Sequence, residues 1–252
     1  NPQFAAEAIQ LDVWNNIVGG GNEDLAYRLA NMGYPVIFTS ANNFYFDFAW
    51  DDTYNEPGHN WAGNIDLEKS YSFMIHNFLR NLPDHISSKK QALTEEGKKN
   101  IIGIKGTLWS EKIKDLDRLQ YMLIPRIFAL AERAWAQEPE WEKPSQTSWK
   151  TLYDQDWSQF ANTVGLKEIP RLERRWKGIN YRLPAIGIKE INGEIVCNLE
   201  LPGFYIVYTN DGSEPLADGT KYSRPLSEKG NLKFKVFNSS GKGSYTTVYP
   251  HY

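Results

Sequence analysis

Cysteine is nearly missing from this chain: Cys197 is the single one in 252 residues, so neither an internal disulfide nor a multi-cysteine metal site can form. Histidine is scarce as well. His59, His76, His85 and His251 are scattered without a spacing such as HExxH, and each reads as an ordinary buried or surface histidine. No metal is expected, and no cofactor, because Gly19-Gly20-Gly21 lacks the GxGxxG spacing and the Lys-Ser/Thr of a nucleotide loop and reads as a flexible turn. The net charge is only -3, which offers no broad basic field for nucleic acid. The basic stretch RLERRWK at 171 to 177 reads as packing or a solvated face. No apolar run is long enough to span a bilayer. The opening NPQFAAEAIQ has no basic flank leading into an apolar core, so no signal peptide is visible in it. Unpaired cysteine fits a reducing cytosol or an exported protein without disulfides; export, periplasmic or extracellular, is the expectation.

What the chain does have is a 41% hydrophobic content, enough for a real core, and three aromatic and acidic clusters. These are DVWNN at 12 to 16, NNFYFDF at 42 to 48 and GTLWSE at 106 to 111. Each closes a short apolar, β-like run, at Ile9 to Val13, Val36 to Thr39 and Ile101 to Leu108. The segments between them read partly as helix. Strands and helices alternating in this way describe an α/β barrel, where chemistry sits at the carboxyl ends of strands. Aromatic planes cover the apolar faces of a pyranose and carboxylates accept from its hydroxyls, so Trp14, Tyr45, Asp47, Trp109 and Glu111 point to a carbohydrate pocket. The long polar stretch from Ala49 to Gly63 suits a loop over a binding face, and Trp61 is a large aromatic to find on such a loop.

Asn22, Glu23 and Asp24 open a helix with Leu25, Leu29 and Met32 on one face, ended by Gly33. Asp66 to Leu82 has near-helical apolar spacing, and Asp115 to Ala136 forms a strong amphipathic helix that Pro125 should kink or offset. Pro139 and Pro144 mark a connector, and Trp149 to Val164 reads as one more helix. From about Leu183 the texture changes to strand-like alternation, as in Leu232, Phe234 and Val236 against Lys233 and Lys235, with turns at Asn210-Asp211-Gly212 and Ser239-Ser240-Gly241. Two domains are expected, 1–182 with the barrel elements and 183–252 as a small all-β sandwich.

Taken in order, these motifs resemble the carboxyl-terminal part of a glycoside hydrolase family 20 β-N-acetylhexosaminidase of the chitobiase type. The resemblance implies an α/β chain holding about strands six to eight of a (β/α)8 TIM barrel, followed by the family's β-sandwich appendage, matched by YTNDGSEP at 208 to 215. PRIFALAERAW at 125 to 135 is similar to the last barrel helix. Trp14 matches the tryptophan closing strand six, Tyr45 and Asp47 the Tyr-x-Asp motif of strand seven, and Trp109 and Glu111 the Leu-Trp-x-Glu motif of strand eight, with Trp61 similar in spacing to a loop tryptophan. The implied activity is exo-hydrolysis of terminal N-acetyl-hexosamine, in which the substrate's own acetamide attacks the anomeric carbon to give an oxazolinium. On that scheme Trp14 and Trp109 cage the acetamide, Tyr45 steadies its cyclised form, Asp47 and Glu111 accept from the 4- and 6-hydroxyls, and Trp61 stacks under the next sugar.

The family's Asp-Glu catalytic pair, which belongs to strand four, has no counterpart here. The expectation is therefore a fragment, inactive alone, whose partners are the N-acetyl-hexosamine glycan and either the missing amino-terminal part of the barrel or a second copy. Plainer readings stand beside each role. Trp14 and Trp109 could be core aromatics, Tyr45 a buried tyrosine bonded to a backbone carbonyl, Asp47 a turn cap and Glu111 a first-turn acid. Asp47 and Glu111 could instead be an acid and nucleophile pair. A different class of function is a non-catalytic carbohydrate-binding or interaction module.

Overall fold

In the computed structural model, which describes residues 9–143, 145, 147–227 and 230–249, the three apolar runs become β1 (Leu11–Val13), β2 (Val36–Phe38) and β3 (Ile101–Ile104). His251 and Pro144 lie outside the described residues. The strands run parallel in the order β1-β2-β3, with Leu11 opposite Val36 and Phe38 opposite Ile104. Parallel neighbours need a crossover, and the helix Leu25–Asn31 lies in the one between β1 and β2. Val13, Val36 and Phe38 join Ala26, Tyr27, Ala30, Phe73 and Phe78 in the main core. Met32, expected on the inward face of that helix, is instead 64% exposed, because the burying face is Ala26, Tyr27 and Ala30.

Contact density separates two compact units, Asn1–Trp157 and Ser158–Tyr252; the boundary expected at 182/183 falls inside the second. Within the first, the helix expected over Asp66 to Leu82 is not continuous. It consists of Leu67–Tyr71 and a 3-10 turn, Phe78–Asn81. Between them the backbone bonds to side chains instead of to its own turns: the Tyr27 hydroxyl accepts the Phe78 amide at 2.6 Å and donates to the Ile75 carbonyl at 2.9 Å. Pro125 does more than kink the next helix. The chain forms two, Leu116–Leu123 and Arg126–Trp135, since proline offers no amide to continue the first.

The helix Trp149–Thr163 runs on through a π turn, Val164–Glu168, into Ile169–Arg175. In the second unit β4 (Ile186–Ile191) and β5 (Glu194–Leu199) form a hairpin. Its two-residue turn is Asn192-Gly193, with φ of 53° and 81°, the left-handed pair that a type I′ hairpin requires. A second antiparallel sheet has β6 (Tyr205–Thr209), β7 (Leu232–Phe237) and β8 (Thr247–Tyr249). Ile195 and Cys197 of β5, Ile206 of β6 and Leu232 and Phe234 of β7 share one buried cluster, so the two sheets face each other as a sandwich. Barrel elements followed by a sandwich are the expected fold. No helix among the described residues is long and apolar enough to cross a membrane.

Candidate functional site

Beyond β2 the chain turns through the short helix Ala41–Phe44 and then resumes strand pairing. Tyr45 bridges Thr107 in parallel, the Phe46 amide donates to the Thr107 carbonyl at 2.7 Å, and the Thr107 amide donates to Phe44 at 2.9 Å. This second stretch of ladder brings Tyr45 and Asp47 beside Thr107, two residues before Trp109. Glu111 stands in the 3-10 turn Ser110–Lys112, and Trp14 directly follows β1. The 49–63 loop folds back on the same strand: the His59 amide donates to the Asp47 carbonyl at 2.9 Å and the Ala49 amide to His59 at 2.8 Å. Trp61 thereby reaches the same place. All six residues line one cavity of about 650 Å³.

The Tyr45 ring lies edge-on to Trp109, with centroids 6.3 Å apart, and to Trp61 at 6.1 Å. Trp14, Trp61 and Trp109 are 55%, 56% and 51% exposed, whereas Tyr45 is 5% exposed. Core aromatics do not leave half their surface in water, so among these residues Trp14 and Trp109 border the cavity and are not packed into the core. They are walls. Among the described residues the Tyr45 hydroxyl has no hydrogen-bond partner, which is not the carbonyl-tethered tyrosine of the alternative. Burial, and then the charge of Asp47, pushes this phenol's pKa up.

Asp47 is 2% exposed, and its Oδ1 has no partner. Burial raises its carboxyl pKa and the field of Glu111 adds to this, while its own backbone amide, that of Trp109 and the nearby His59 pull it down. A buried acceptor left unmet costs about 1–3 kcal/mol; a donor brought by a ligand would recover that. Five further residues line the cavity: Asp12, Thr39, His59, Lys105 and Thr107. Asp12 accepts from the Thr39 hydroxyl and pairs with Lys105, which ties the ends of all three strands together. Asp12 opens the first aromatic cluster, Thr39 ends the second run, and Lys105 and Thr107 lie within the third, yet sequence reasoning singled out none of the four as a site residue. His59 was not expected in the site. It lines the cavity because its backbone pairs with Asp47 and Ala49.

Residues 1–138 match the family model for the catalytic domain of glycosyl hydrolase family 20, and residues 168–245 match the chitobiase/beta-hexosaminidase C-terminal domain. The chain is 30% identical to an N,N'-diacetylchitobiase of Vibrio harveyi over 92% of its own length and 28% of that protein's. It is 32% identical to a beta-hexosaminidase of Vibrio vulnificus, over 79% of this chain and 26% of the relative. A crystal structure of an inactive mutant of the family 20 exo beta-N-acetylglucosaminidase from Vibrio harveyi superposes with a TM-score of 0.51 at 25% identity, covering 72% of this chain and 23% of that one. The chain thus spans little more than a quarter of the length of the curated relatives it matches. With the catalytic-domain model covering more than half of its residues, and with parallel strand ends gathering the expected side chains, the chain belongs to glycoside hydrolase family 20.

Proposed function

We propose that this chain forms the sugar-gripping side of an exo-β-N-acetylhexosaminidase site, which releases terminal N-acetyl-hexosamine by the substrate-assisted, oxazolinium route. The observation that carries this is the single cavity shared by Trp14, Tyr45, Asp47, Trp61, Trp109 and Glu111. Trp14 and Trp109 wall the acetamide and restrict it to the attacking geometry, which removes entropy from the reactive step. Tyr45, whose raised pKa keeps it protonated at neutral pH, donates to the acetamide oxygen as charge shifts. Asp47 and Glu111 accept from sugar hydroxyls, and Trp61 carries the next ring. The Asp-Glu pair comes from polypeptide other than these 252 residues, which contain no such dipeptide. An exported location, where glycans are met, goes with this function.

The chain by itself is then without turnover. Release of 4-nitrophenol from its N-acetyl-β-glucosaminide by these 252 residues, purified free of other polypeptide, would overturn that. A second reading, Asp47 and Glu111 as acid and nucleophile, is favoured by the raised Asp47 carboxyl and its coupling to Glu111. The two separate on Asp47→Asn in the protein at its full encoded length. As a binding group Asp47 gives a higher KM and retained kcat; as an acid or nucleophile it gives a kcat lowered by several orders of magnitude. A non-catalytic module would instead bind chitobiose with these residues alone while the full-length protein turns nothing over.

A further inference from the structure

The rim of the cavity comes from separate loops, and one side chain joins two of them. Asn42, in the short helix Ala41–Phe44, is 9% exposed. Its Oδ1 accepts the Val18 amide at 3.0 Å, and its Nδ2 donates to the Ala62 carbonyl at 2.6 Å. Val18 belongs to the segment that leaves Trp14, and Ala62 directly follows Trp61. A small buried cluster of Ala41, Tyr45, Phe48 and Ile65 is packed by Ile17 and Ala62 from the same two loops. The carboxamide offers both a donor and an acceptor, and one orientation satisfies both loops at once.

We propose that Asn42 is a positioning residue that couples the Trp14 and Trp61 loops, so that the wall of the first sugar and the platform of the next are set as one body. This rests on the role given to Trp61 above. The physical need is plain. Half-exposed indoles on loops have few contacts to hold them, and every rotamer or loop conformer frozen on binding subtracts from affinity. A clamp made before the ligand arrives removes that cost from the binding step. The far end of the Trp61 loop has its own anchors, since the Tyr121 hydroxyl donates to the Glu56 carboxylate at 2.8 Å and Arg126 donates to the Ile65 carbonyl at 2.9 Å. Asn42 supplies the link towards Trp14.

The test is Asn42→Asp in the protein at its full encoded length, titrated with chitobiose in a thio-linked form that resists hydrolysis and with N-acetylglucosamine. The replacement keeps the acceptor for Val18 and sets an oxygen against the Ala62 carbonyl. The dissociation constant for chitobiose should rise about 10-fold, while that for the monosaccharide changes less than about 3-fold. Acidification protonates the introduced carboxyl and restores a donor, so the ratio of variant to wild-type affinity should recover towards one as the pH falls. A merely structural role would recover too, but would weaken both sugars equally. Should that variant fail to fold, Asn42→Ser removes both bonds without adding charge and carries the same selective expectation, without the pH recovery. A wild type that binds both sugars beside a variant that matches it, or that loses both equally, overturns the coupling alone. A wild type that binds neither sugar overturns the site itself, and the coupling with it.

Discussion

Trp109 is 51% exposed at the mouth of a cavity, which separates what it does for binding from what it does for stability. Replacing a side chain already half in water should change folding free energy by about 0.5 kcal/mol. Trp109→Ala in the full-length protein should weaken binding of a thio-linked, hydrolysis-resistant chitobiose about 10- to 100-fold, about 1.4–2.7 kcal/mol, with the melting temperature nearly unchanged; titration calorimetry beside a thermal melt checks both. Asp47 adds a pH dependence. In the role proposed for it, accepting from sugar hydroxyls, it works best ionised, and burial raises its pKa from the usual 3.8. Its contribution is therefore present above that raised pKa and is lost as the pH falls through it. Chitobiose affinity should begin to fall at a higher pH than an ordinary aspartate would give, and Asp47→Asn should flatten that limb of the profile.

At the scale of elements, the strand bearing Tyr45 and Asp47 is held to the helix Arg126–Trp135 by that helix's first residue. Arg126 is fully buried. Its guanidinium donates to the carbonyls of Phe46 at 2.6 Å, Phe48 at 2.9 Å and Ile65 at 2.9 Å, and it lies 4.1 Å from the Trp50 ring centroid. Arg126→Met would strand several buried carbonyls at once, and we expect a loss of about 3–5 kcal/mol, read from urea unfolding. The segment after this helix is pH-sensitive. Glu142, 1% exposed, accepts the His76 amide at 2.5 Å, yet burial lifts its pKa from 4.5 to about 7 against the pull of that amide and of Arg133. The folded state then binds more protons than the unfolded one, so the stabilisation is complete below about pH 4.5 and is lost as the pH rises to about 7. Glu142→Gln should remove up to about 3 kcal/mol of that pH dependence, measured by unfolding at pH 4.5 and pH 7.5. His76, Glu138 and Glu142 also bring ligand-type atoms within 4.8 Å of one another, but the Arg133 guanidinium, 4.0 Å from Glu142, opposes a cation there.

At the scale of the molecule, the parallel sheet ends on both sides in an open strand among the described residues, β1 and β3. Ile102 on β3 is 49% exposed. Unpaired strand amides and carbonyls beside apolar side chains invite pairing with another chain. These residues on their own should therefore associate, with a second copy or with the polypeptide that completes the barrel. Light scattering that stays strictly monomeric at high concentration would count against it.

Much of this was legible in the sequence, for reasons that differ by residue. Trp14, Tyr45, Asp47, Trp109 and Glu111 could be read because each follows an apolar run, and parallel strands place their carboxyl ends at one edge. The alternation of Leu232, Phe234 and Val236 likewise marked the inner face of the sandwich, where they are 1%, 0% and 0% exposed. The break in the helix expected over Asp66 to Leu82 was hidden, because the Tyr27 hydroxyl that captures the Phe78 amide lies 51 residues away. His59 and Asn42 gave no signal for the same reason: their roles lie in bonds to distant backbone, which no local pattern records.

The order of residues by itself thus determined the strand ends and the kinds of side chain gathered there, since these follow from periodicity and side-chain type over a few positions. Only the tertiary structure decided that the tryptophans stand half exposed around one cavity, that the Asp47 Oδ1 waits without a partner, and that one amide spans two loops. Burial and hydrogen-bond partnership are properties of what surrounds a side chain, and those surroundings come from segments far apart along the chain.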